Sequence, residues 1–241
     1  MKLSVIIPVY NEERTTIRLL DKVFAVDFGD TEIEVIVIDD GSKDATSDLL
    51  SKHTHPIFLF NHEKNLGKGL AIQTGIKKAT GDYVVIQDAD LEYNPEDLRF
   101  LMDTAKAHKA KAVFGSRRLS FADSINVHGR WYFYAGGVFL TTLANFLYGT
   151  KITDEPTCYK MIDRKLLEAL NIESKGFEFC PEVVAKIGRL KIPIFEIPIR
   201  YNPRSLREGK KIKARDGLVA IWTLVKYRFA KMPSSMDIYK I

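Results

Sequence analysis

The stretch GDYVVIQDADLEYNPEDL, residues 81–98, decides the fold. Its first part, DYVVIQ (82–87), is a short apolar run of strand length. Asp88, Asp90 and Glu92 follow at once. Then Asn94 as cap, Pro95 at the first helical position, and Glu96 and Asp97 in the first turn spell the start of a helix over 95–107. A buried strand that ends in carboxylates and passes into a helix is a βα unit with its chemistry at the strand's carboxyl end.

Outward from this unit the pattern repeats. LSVIIPV (3–9), EVIVI (34–38), IFLF (57–60) and KAVFG (111–115) are further apolar runs of strand length. Runs apolar on both faces imply strands covered by helices on both sides. Helical stretches are expected over 13–25, 44–52 and 67–79. Alternating β and α elements predict an α/β sandwich with a mainly parallel sheet. The second half is less regular. Residues 116–128 read as a polar loop and 129–149 as an uncharged helix. KIPIFEIPI (191–199) reads as a strand whose prolines place it at an edge or end, 200–215 as a basic loop, and 217–229 as an amphipathic helix. The expected organisation is one domain over 1–215, with a C-terminal amphipathic helix and tail over 216–241.

Composition excludes several classes. The chain has 241 residues, 46% hydrophobic and 28% charged, which rules out disordered and fibrous architectures and suffices for a sizeable core. Met1-Lys2 and LSVIIPVY lack a small-residue cleavage site, so they read as a buried first strand rather than a signal peptide. Cys158 and Cys180 have no metal-like spacing and form no disulfide framework, which fits a reducing cytoplasmic compartment. The net charge of +5 is uneven: residues 186–231 hold thirteen Lys/Arg against three Asp/Glu, or +10, leaving −5 elsewhere. A basic C-terminal fifth predicts an anionic partner. From Trp131 to Thr150 no residue is charged, yet three glycines, three threonines and Asn145 argue against a membrane span. With aromatics crowding one end, the segment suits a helix lying in a membrane interface, an ordinary core helix being the alternative.

The strand ends converge. Tyr10, Asn11 and Glu12 follow the first, Asp39 to Ser42 the second, Asp88 to Glu92 the fourth, and Ser116, Arg117 and Arg118 the fifth. Carboxylates gathered at one edge repel unless a cation sits among them, and a hard, oxygen-binding Mg²⁺ or Mn²⁺ suits them. In an extended segment Asp88, Asp90 and Glu92 would share one face.

VIIPVYNE, VIDDGSKDAT and KNLGKGLAIQTGIKKATGDYVVIQDADLEYNPEDL closely resemble the inverting, metal-dependent glycosyltransferases of family 2. The likeness is to the branch with dolichol-phosphate mannosyltransferase and polyprenyl-phosphate relatives. It runs through residues 3–120 and resumes at KITDEPTCYKMIDR, GFEFCPEV and EIPIRYNPR. It implies a GT-A fold and assigns roles. Pro8, Tyr10 and Glu12 match positions that hold the nucleoside, Ile38 and Asp40 those that contact base and ribose. Asp88 and Ala89 lie along the nucleotide, and Asp90 and Glu92 match metal ligands. Many relatives carry Gln in place of Glu92, whose added charge would alter metal preference. Arg117 matches a phosphate-contacting arginine, Arg204 and Lys210 the basic residues of a loop closing over the diphosphate, and Arg130, more loosely, an arginine meeting the acceptor phosphate. Lys64 and Lys68 are secondary phosphate candidates.

The implied reaction moves a hexose, mannose from GDP-mannose before glucose from UDP-glucose, to a polyprenyl or dolichyl phosphate. A largely dianionic phosphate monoester needs no protein base. A saccharide or protein hydroxyl does, and Asp154, Glu155 or His128 would serve. Many relatives continue into transmembrane helices beyond the position of Phe229. Membrane contact is therefore expected to be peripheral, on the cytoplasmic face, or through a membrane partner protein. A nucleotidyltransferase is disfavoured because no glycine-rich loop follows the first strand. A nucleic-acid binder would leave the acidic strand ends unexplained.

Overall fold

A computed structural model describes residues 1–119, 131–204, 211 and 214–239, the side chains of Trp131, Tyr132 and Ala214 excepted. Seven strands form one sheet: β1 (Lys2–Val9), β2 (Glu32–Asp39), β3 (Ile57–Asn61), β4 (Tyr83–Ile86), β5 (Ala112–Ser116), β6 (Lys160–Asp163) and β7 (Phe195–Pro198). Their order is β3-β2-β1-β4-β6-β5-β7. All neighbours pair parallel except β6, which lies antiparallel between β4 and β5. The chain steps from β1 to β2 on one side and to β4 on the other, so a crevice opens beyond the carboxyl ends of β1 and β4.

Apolar runs became strands because both faces are covered. Every residue of β4 and β5 is buried, as are most of β1 and β2. β3 departs from that expectation: it is the sheet's edge, and Phe58 is exposed. The 191–199 segment shortens to β7, which is an edge, as its prolines require.

The helices are α1 (Thr16–Phe24), α2 (Thr46–Ser51), α3 (Lys68–Lys78), α4 (Glu96–His108), α5 (Trp131–Tyr148), α6 (Arg164–Ala169), α7 (Phe179–Arg189) and α8 (Ala214–Phe229), with a 3-10 turn at Ser234–Tyr239. The α4 start falls one residue later than the sequence suggests. Pro95 is the boundary residue, and the Asn94 side chain accepts a bond from Glu96 N at 3.2 Å. β6, α6 and α7 are absent from the sequence reading; β6 and α7 hide charges, and α6 is only six residues long. Lys160 opens β6 fully buried, donating to the carbonyls of Glu155 (2.7 Å) and Thr157 (2.5 Å). In α7 the buried Glu182 and Lys186 pair one turn apart. Such groups look solvated in a sequence but survive burial when paired and bonded.

α5 and α8 pack on each other and on α7, burying Leu140, Ala144 and Leu224. Their outer faces carry Phe139, Phe146, Leu218, Trp222 and Phe229 in contact with solvent. No helix among the described residues is long and apolar enough to cross a membrane.

Candidate active site

The loop after β1 is held from the far end of the chain. Glu12 accepts from both terminal nitrogens of Arg204, at 3.2 and 3.0 Å, and from Lys211 Nζ at 2.8 Å. Lys211 also donates to the Tyr10 carbonyl at 2.5 Å and lies over the Tyr10 ring. Burial alone would raise the Glu12 carboxyl. The Arg204 and Lys211 cations outweigh it and hold the group below its ordinary value. Arg204 also reaches the loop after β4: its Nε donates to the Asp90 carbonyl (2.7 Å) and its backbone N to Glu92 Oε1 (2.7 Å). One guanidinium thus ties together the ends of the two strands that flank the crevice.

The acidic segment is a turn, not the extended run expected. The backbone turns at Ala89 and Asp90, and Leu91 sits in the left-handed region at φ 62°. Its carboxylates diverge. Asp88 Oδ1 meets Lys68 Nζ at 2.5 Å and Cys158 Sγ at 3.3 Å. Glu92 Oε2 accepts the Tyr201 hydroxyl at 2.5 Å. Among the described residues, Asp90 Oδ1 receives only the backbone N of Glu92, at 3.1 Å, and no Lys or Arg side chain pairs with Asp90 or Glu92. Burial, then the charges of Asp88 and Glu92, push the Asp90 carboxyl up to about 7. An all-oxygen donor set short of positive charge fits Mg²⁺ or Mn²⁺. Asp90 is the better placed ligand, because Glu92 already shares its oxygens with Tyr201 and Arg204.

Past β5, Arg117 and Asp154 form a two-pronged pair. Arg117 Nε and Nη2 reach the carboxylate at 2.7 and 2.8 Å, and the Arg117 backbone N adds a third bond at 3.0 Å. Asp154 is 0% exposed. Burial works against its charge, but Arg117 prevails and keeps the carboxyl below its usual range. The Arg117 guanidinium also stacks over the Tyr201 ring, 4.9 Å from its centre. Next door, Glu155 is fully buried and neither carboxylate oxygen has a hydrogen-bond partner among the described residues. Burial, the largest influence, lifts it to about 7.

The structure brings together most of the residues singled out from sequence. Pro8 pairs with Ile38 of β2, one residue before β1 ends at Val9. Tyr10, Glu12, Asp88, Ala89, Asp90, Glu92, Arg117 and Arg204 line the same sheet edge. Two of the residues have other work. Ile38 has no exposed surface. Asp40 is buried with its carboxylate spent on the 62–67 loop, accepting from Leu66 N (2.9 Å) and Gly67 N (2.8 Å) and meeting His62 Nδ1 at 2.7 Å. That loop is drawn in tightly. At Gly41, φ 72°, a Cβ would lie 2.6 Å from the Lys64 backbone. Lys68 is turned onto Asp88. His128, Arg130 and Lys210 lie outside the described residues. Lys211 and Tyr201 were not anticipated. Tyr201 could have been found from its place beside Arg200 and Arg204 in the resembling segment. Lys211 is one of three lysines within 210–213 that no local signal separates.

The sequence profile of Glycosyl transferase family 2 matches residues 4–170. The low-salt glycan biosynthesis hexosyltransferase Agl6 of Haloferax volcanii is 28% identical over 235 residues, covering 96% of this chain and 54% of that protein. Dolichyl-phosphate beta-glucosyltransferase ALG5D of Trichomonas vaginalis is 29% identical over 227 residues, covering 87% of this chain and 68% of that protein. The chain therefore spans about half the length of the first relative and about two thirds of the second. Among solved structures, glucosyl-3-phosphoglycerate synthase from Mycobacterium tuberculosis with Mn²⁺, UDP and phosphoglyceric acid superposes with a TM-score of 0.71 at 21% identity, over 95% of this chain and 79% of that one. The same synthase with Mg²⁺ and UDP gives 0.71 at 20% identity, over 95% and 80%. At such identity the likeness is one of fold.

Proposed function

The chain belongs to glycosyl transferase family 2 and has its GT-A fold, and from that premise we propose that it transfers a hexose from a nucleotide diphosphate sugar to a polyprenyl phosphate. The observation that carries the acceptor assignment is the state of the two acids that would serve a hydroxyl acceptor, Asp154 and Glu155. Asp154 is buried and clasped by Arg117, and Glu155 is sealed from solvent. A hydroxyl acceptor needs a base within hydrogen-bond reach; Asp154 is engaged by Arg117, and Glu155 has no surface an acceptor could reach. A phosphate acceptor brings its own charge. The uncharged α5 and the exposed Phe139, Phe146 and Trp222 support a lipid carrier at a membrane surface. The glucosyl activity in one relative's name favours glucose over mannose.

In this reading an oxygen of the acceptor phosphate attacks the anomeric carbon from the face opposite the diphosphate. The bond from that carbon to the diphosphate oxygen breaks, and its electron pair leaves with the nucleoside diphosphate. An α donor gives a β product. Asp90 and Glu92 would hold a divalent cation, which supplies charge neutralisation to the leaving diphosphate. Arg204 and Lys211 stand at the mouth of the same crevice, where a guanidinium fork and an ammonium suit phosphate oxygens. Arg117, fixed by Asp154 and Tyr201, offers a preorganised cation that costs no reorientation as charge develops. Glu12 keeps Arg204 and Lys211 aimed into the cleft.

The test is product partition. The protein is incubated with radiolabelled UDP-glucose or GDP-mannose, with and without polyprenyl phosphate in detergent, and with EDTA and Asp90→Asn as controls. Label entering the organic phase only with lipid and metal is the expected result. Donor hydrolysis without lipid labelling would overturn the acceptor.

A further inference from the structure

At the other end of the sheet, away from the crevice, two histidines precede the amino end of β3. They belong to the sequence His53-Thr54-His55 and stand beside Asp21 of α1. One donor atom from each of the three lies within 4.8 Å of the other two, and His55 Nε2 is 3.9 Å from Asp21 Oδ1. Phe24, one turn on from Asp21, stacks on the His55 ring with centroids 4.5 Å apart and planes 12° from parallel, and it also contacts the His53 ring at 6.4 Å. The two imidazoles are 5.3 Å apart. His53 Nε2 is buried and has no hydrogen-bond partner among the described residues.

We propose that Asp21, His53 and His55 form a second metal site, for a borderline transition-metal ion of which Zn²⁺ is the type. Two imidazoles and one carboxylate suit zinc, and they suit Mg²⁺ poorly because magnesium selects oxygen. Zinc–nitrogen and zinc–oxygen bonds run about 2.0–2.2 Å, so the donor atoms of a tetrahedral ion stand about 3.4 Å apart. Asp21 and His55 have largely exposed side chains and need to close by only a fraction of their present separation. Phe24 stacks on the His55 ring and restricts its rotation. Three protein donors leave a fourth position for water. The site is separate from Asp90 in sequence and in place, so it stands or falls independently of the transfer reaction.

The experiment uses the untagged full chain, stripped with a chelator and titrated with Zn²⁺ against a chromogenic zinc indicator. Asp90→Asn removes the acidic cleft's main ligand and is the background for every variant. One Zn²⁺ per chain is expected to remain in that background. Even an outer-shell change weakens zinc about tenfold or more, so His55→Gln and Asp21→Asn, both at exposed positions, should each weaken it by at least that factor. Co²⁺ substitution should give the intense visible bands of a tetrahedral site, lost in His55→Gln. Melting of each variant by circular dichroism checks that it is folded. Absence of Zn²⁺ binding in the Asp90→Asn background, or unchanged affinity in folded His55→Gln, would overturn the proposal.

Discussion

Replacing Asp154 by Asn separates a structural acid from a catalytic base. Asp154 is wholly buried and accepts three bonds from Arg117, whose side chain is 24% exposed. Removing one partner of a buried ion pair leaves the other charge without compensation, at about 3–5 kcal/mol. Asn keeps one oxygen of similar placement, so the lower end, about 3 kcal/mol, applies. For a chain of this size each kcal/mol moves the melting temperature by roughly 2–4 °C, so a fall of about 6–12 °C is expected. Arg117→Gln should cost a similar amount. The double variant should cost clearly less than the sum, because once one partner is gone the other has little left to lose. Urea and thermal melts of the four proteins close the cycle. Turnover should fall in both single variants, and further in Arg117→Gln, which removes the cation, than in Asp154→Asn, which only loosens it. An Asp154→Asn protein of undiminished stability that had nonetheless lost turnover would refute the reasoning and return Asp154 to the role of base.

Other features yield expectations of the same kind. Burial opposes ionisation of Glu34, but bonds from Ser4, Thr80 and Lys2 overcome it and pull the carboxyl from 4.5 to about 2. Its stabilising effect is therefore complete above about pH 4.5 and lost as pH falls toward 2. Glu34→Gln should flatten that part of the pH–stability curve, and an unchanged acid limb would count against the bonding pattern. Gly69→Ala would put a Cβ 2.3 Å from the Ser174 carbonyl oxygen. Backbone cannot yield as a side-chain tip can, so a loss of about 1–3 kcal/mol in urea melts is expected. Phe146 and Trp222 are 84% and 65% exposed. Phe146→Ser with Trp222→Ser should leave stability within about 0.5 kcal/mol while lowering co-sedimentation with anionic lipid vesicles. Equal vesicle binding by both proteins would contradict a membrane-facing role for α5 and α8.

The parallel half of the sheet was legible because its strands are buried on both faces, which writes unbroken apolar runs into the sequence. The acidic turn was legible because chemistry follows a strand's carboxyl end. What stayed hidden has a common physical origin. Lys160, Glu182 and Lys186 are charged residues in the interior, each satisfied by partners that sequence spacing cannot display. The antiparallel β6 and the helix α7 were invisible for that reason. The shared face expected for Asp88, Asp90 and Glu92 failed because Leu91 takes a left-handed conformation, which nothing in an Asp-Leu-Glu triplet announces. Asp40 shows a further limit. A carboxylate after a strand can serve a ligand or brace a neighbouring loop, and the bonds to Leu66 and Gly67 that show the second are not written in the local sequence.

The clasp of Arg204 by Glu12 makes the protein its own competitor. Any phosphate-bearing ligand that seeks this guanidinium must displace a carboxylate tethered a few ångströms away, at an effective concentration no free anion in solution could match. Entry is then an exchange of one anion for another. In the proposed reaction the returning carboxylate would help to expel a spent diphosphate. Under the proposed function, built-in competition of this sort would keep a charged product from lingering.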